Sequence, residues 1–178
     1  LGLSVAATTN LTAVWVFGAL FGLFLASRSL KRKKGGPIKS IVFALFTAIG
    51  GLCFVIMSDP MKLASLYFFG SFLIGLGTGL FAVSTLIIAM TIPISKGTGR
   101  GLVLGSWGAA QAKAAALGIG LGGILNDISR SVVGSEGLNL VVSSNAAFSY
   151  LVVYHLEIFL LFLTLVFLDI FLGLFKIG

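Results

Sequence analysis

Charge is what this chain has least of. Charged residues make up 10% of its 178 positions, where a soluble domain carries roughly a quarter. The shortfall excludes a water-facing globular surface, so the solvent must be lipid. Asp and Glu together number five, and there is one His and one Cys. That leaves no cluster of Cys and His at metal spacing and no nucleophile–base–acid set, and no Walker-type loop is present. Catalysis by this chain is therefore not expected. Cys53 lies inside an apolar run, has no second cysteine to pair with, and says little about redox compartment. The first residue is Leu1, and no charged segment precedes the first apolar run. A signal peptide is not expected, and an N-terminal part is expected to be missing.

Hydrophobic residues are abundant, at 58% with a mean hydropathy of +1.14. Backbone amides in hydrocarbon must be satisfied internally, which leaves helices or a closed barrel. Barrel strands alternate apolar and polar residues; the long continuous runs here do not, so an all-α polytopic membrane protein is expected. Five runs are long enough to span, at about residues 6–26, 38–57, 63–92, 102–124 and 146–175. They read as a single transmembrane helical bundle. The third and fifth exceed the roughly 20 residues needed to cross, which implies tilt or interfacial extension. Gly35-Gly36-Pro37 places a proline at the start of the second helix. Asp59-Pro60 makes a short turn with Asp59 as candidate N-cap of the third helix, and Pro93 ends that helix. The connection from about Asn126 to Asn145 reads as a surface loop.

The net charge is +7, a balance that could suggest nucleic acid. Most of the basic residues, however, sit in short loops between apolar runs, where they report topology first. One side carries Arg28, Lys31, Arg32, Lys33, Lys34, Lys39, Lys96, Arg100 and Lys176; the other has only Lys62 and Arg130. A bias of nine to two makes the basic side cytoplasmic, with the C-terminus inside. The run from Arg28 to Lys39 can also attract anionic headgroups, or dock an acidic segment of a partner.

Glycines recur four apart at Gly18 and Gly22, Gly75 and Gly79, Gly101 and Gly105, and Gly118 and Gly122. Such small-xxx-small faces let helices approach closely in lipid, and helix packing is their expected role. The alanines between Ala109 and Ala116 suggest that the fourth helix is clamped between neighbours.

Ionisable groups inside apolar runs are costly and become functional candidates by default. They are Lys113, His155, Glu157 and Asp169. Lys113 and Glu157 lie at compatible depths, so an ion pair between them, or a polar cavity shared with Gln111, is expected. His155 and Glu157, two residues apart, take different helix faces. Asp169 lies nearer the cytoplasmic interface. Trp107 is placed for an interfacial belt, whereas Trp15 lies deeper, where packing is expected. Phe159, Phe162, Phe167 and Phe171 form a surface at roughly helical spacing for which lipid contact is expected.

Five helices with the N-terminus outside fit the last five of a twelve-helix major facilitator. Gly105-Ser106-Trp107-Gly108-Ala109-Ala110-Gln111, continued through Gly118–Gly123 to Leu125-Asn126-Asp127, resembles the eleventh helix of the PucC/LhaA family. Tyr154-His155-Leu156-Glu157 resembles the last helix of that family, and Thr12-Ala13-Val14-Trp15 with Gly18 its eighth. The resemblance implies the C-terminal portion of a major-facilitator-like fold in a photosynthetic membrane. It further implies a role in assembling light-harvesting complexes, with light-harvesting polypeptides as partners and (bacterio)chlorophyll handled for them. Lys113, Gln111, Glu157, His155 and Trp107 would then line a cavity or pigment site, and His155 could ligate the chlorophyll magnesium. No other metal site is expected. Two further classes stay open: a secondary transporter of a small molecule, and a structural subunit of a photosynthetic complex.

Overall fold

In the computed structural model the described residues are 5–31, 36–91, 99–133 and 145–176, and among them there are five helices and no strand. These are α1 (Val5–Lys31), α2 (Pro37–Ser58), α3 (Ala64–Thr91), α4 (Arg100–Val133) and α5 (Asn145–Lys176). All five are long and apolar enough to cross a membrane. Pro37 opens α2, as its missing N–H and fixed φ favour. Pro93 and Lys96 lie outside the described residues, as do Arg32, Lys33 and Lys34.

Two boundaries differ from expectation. Asp59 does not cap α3, which starts five residues later at Ala64. Instead it belongs to the turn that closes α2. The Leu63 N–H donates to Ser58 C=O and the Lys62 N–H to Asp59 C=O, both at 3.1 Å. This is the paired-bond C-terminal turn in which one residue takes the left-handed conformation. That residue is Lys62, with φ 53°. Its ammonium donates to Asp59 Oδ1 at 3.2 Å and holds the Asp59 carboxyl below the usual carboxylate range. The second difference is α4, which continues through the segment expected to begin a loop at Asn126. Leu125, Ile128 and Val132 recur there at helical spacing.

The chain divides into two compact units, one of residues 1–98 and 161–178, the other of residues 99–160. In the first, α3 packs against both α1 and α2. On one side of α3, a side chain at Gly75 would strike the Trp15 carbonyl, and one at Gly79 the Ala19 carbonyl. Reciprocally, one at Gly18 would strike the Phe72 carbonyl and one at Gly22 the Leu76 carbonyl. Two small-xxx-small faces therefore meet with backbone against backbone, as their spacing predicts. On the other side, a Cβ on Gly70 would sit 2.6 Å from Gly51 O, and one on Gly77 2.7 Å from Ala44 O. Aromatic rings flank both seams: Phe72 lies 6.3 Å from both Phe17 and Phe21, and Phe69 meets Phe54 edge-on at 5.2 Å.

Ala26, Ala44, Leu76 and Leu80 form the buried apolar cluster. Ser84 is buried on the α2 side of α3, following Gly70 and Gly77 at two-turn intervals, and its hydroxyl has no hydrogen-bond partner among the described residues. By contrast, nothing lies within 4 Å of a Cβ built on Gly101, Gly105, Gly118 or Gly122, so these two pairs are not packed against any described residue. The clamping expected of α4 is likewise absent among the described residues: its membrane window has no buried residue.

Gly75→Ala should destabilise the first unit by about 1–3 kcal/mol, because the α1 backbone must move away. Gly122→Ala should be neutral or slightly stabilising, as expected of alanine in an open helix position. Unfolding titrations in mixed micelles compare the two; equal effects would contradict the packing described. Ser84→Ala should leave stability unchanged or raise it by up to about 1–3 kcal/mol, since it removes a buried hydroxyl that bonds to no described residue. A marked loss in the same titration would show that Ser84 has a partner.

Candidate functional site

The residues that could carry chemistry lie on α4 and α5, and helical geometry separates them. Residues two apart on a helix are about 200° apart around it. Lys113 and Gln111 therefore take opposite sides of α4, and His155 and Glu157 opposite sides of α5. Lys113 is the fourteenth of the 29 residues in the Arg100–Ile128 span, which puts it at mid-depth. It is exposed, as is Gln111. The partly covered residues of α4, among them Leu104, Trp107, Gly122 and Leu125, lie on the side away from Lys113. Trp107 is thus half-buried, close to the start of the helix.

Glu157 and Asp169 are exposed on α5. No ion pair joins Lys113 to Glu157 among the described residues. Phe159, Phe162 and Phe167 are exposed, as lipid contact requires; the Phe171 side chain lies outside the described set. Of the basic loop, Arg28 is exposed in the last turns of α1 and Lys31 ends that helix.

His155 is exposed and its Nδ1 lies 2.8 Å from the carbonyl oxygen of Leu151, one turn earlier. A carbonyl can only accept, so Nδ1 carries the proton and donates. In the neutral imidazole this leaves the Nε2 lone pair free, and the ring is held by its own helix. A metal-ligating imidazole commonly donates its other ring N–H in this way. No group of three or more His, Cys, Asp or Glu residues that could hold a metal ion occurs among the described residues.

The first unit contains a recess of about 200 Å³ lined by Ala44, Leu45, Ala48, Gly77, Thr78, Phe81, Leu161 and Thr164. Its walls are mostly apolar. Thr78 spends its hydroxyl proton on the Ile74 carbonyl at 2.9 Å. None of the five residues singled out for a cavity or pigment site lines it. Nothing in the sequence points directly to this recess, because the small residues that open it (Ala44, Ala48 and Gly77) sit on two different helices.

Comparison with known proteins places the chain. A protein of Rhodobacter capsulatus described as an uncharacterized protein in the puhA-bchM intergenic region is 39% identical over 167 residues, covering 93% of this chain and 34% of that protein. Protein PucC of the same organism is 36% identical over 84% of this chain and 32% of its own length. Protein PucC of Cereibacter sphaeroides is 32% identical over 93% of this chain and 34% of its own length. The chain thus spans about a third of the length of the curated relatives it matches. No solved structure matches it. The family model described as PUCC protein matches residues 1–173, and with five helices built to span a membrane this chain belongs to the PUCC family of integral membrane proteins.

Proposed function

We propose that this chain forms part of a membrane assembly factor for light-harvesting complexes. In this reading it resides in a photosynthetic membrane with its C-terminus on the cytoplasmic side, as the C-terminal portion of a major-facilitator-like fold. It meets nascent antenna polypeptides laterally and delivers (bacterio)chlorophyll to them. The observation that carries the reading is the PUCC family match over residues 1–173. The geometry of His155 supports the pigment part: an exposed imidazole with Nδ1 engaged and Nε2 free fits the magnesium of a chlorophyll. When bound, that pigment would supply the visible absorption by which it is detected. The protein's own contribution is to hold the ring orientation through Leu151 and to keep water away with the phenylalanines of α5. Lys113, Gln111, Glu157 and Trp107 remain the polar and amphipathic groups available to a partner or pigment at membrane depth.

Affinity purification of the protein from its native membranes in mild detergent, with an absorption spectrum and subunit identification, tests the reading. Chlorophyll-type bands together with light-harvesting polypeptides are expected. A colourless protein without such companions would contradict the reading and favour a small-molecule transporter. His155→Ala should lower the bound pigment or shift its long-wavelength band while leaving the helical content unchanged. An identical pigment content and spectrum would remove His155 as a ligand.

A further inference from the structure

We draw no further inference here: the strongest candidate, the apolar recess of about 200 Å³ that α2, α3 and the C-terminal half of α5 line around Ala44, Gly77, Thr78 and Thr164, carries nothing, because nothing in the structure shows what occupies it.

Discussion

A helix in lipid gains nothing by hiding leucine, because the surrounding tails are as apolar as leucine itself. What holds two such helices together is how closely their backbones approach, and side-chain size decides that distance. In this chain the constraint falls on α3. Glycines face α1 on one side of it and α2 on the other, and the Trp15, Ala19 and Ala44 carbonyls occupy space that a methyl group would take. The apolar cluster of Ala26, Ala44, Leu76 and Leu80 forms around those approaches. Take away the small residues and the remaining contacts are between large apolar side chains such as Leu76, Leu80 and Phe72, which lipid could replace.

The same constraint explains how much could be read from the sequence. Five apolar runs became five helices because nothing but a helix satisfies an uninterrupted apolar backbone in hydrocarbon. The α1–α3 seam was legible because its glycines come four apart on both partners. The α2–α3 seam was not, since Gly70 and Gly77 are seven apart and meet Gly51 and Ala44 respectively. Spacing also could not say which faces are used. Gly101 and Gly105 carry the same signature as Gly75 and Gly79, yet no described residue packs on them. The limit of α4 is hard to read because Asp127, Ser129 and Ser131 look like loop residues, although the apolar positions around them keep the helical period. Asp59 misleads because an acid before an apolar run looks like a cap, whereas the backbone turn belongs to the helix behind it.

The candidate site was legible only as a set of residue types. Lys113, Glu157 and His155 stood out because ionisable groups are rare in spans, and depth along each helix could be counted. Rotation about the helix axis was the missing coordinate. It sets Lys113 apart from Gln111 and His155 apart from Glu157, so no shared polar cavity forms among the described residues. What remains on α4 and α5 is a display of separate groups on uncovered helices, one cationic, one imidazole with a free nitrogen, and two acidic.

Time is the variable that separates an assembly factor from a resident subunit. The most direct test follows newly synthesised antenna polypeptides by pulse labelling and recovers them with this protein during a chase. Labelled polypeptides that associate early and leave as mature complexes accumulate are the predicted result. Label that enters late and stays in fixed proportion to mature complexes, or never associates at all, would contradict an assembly role.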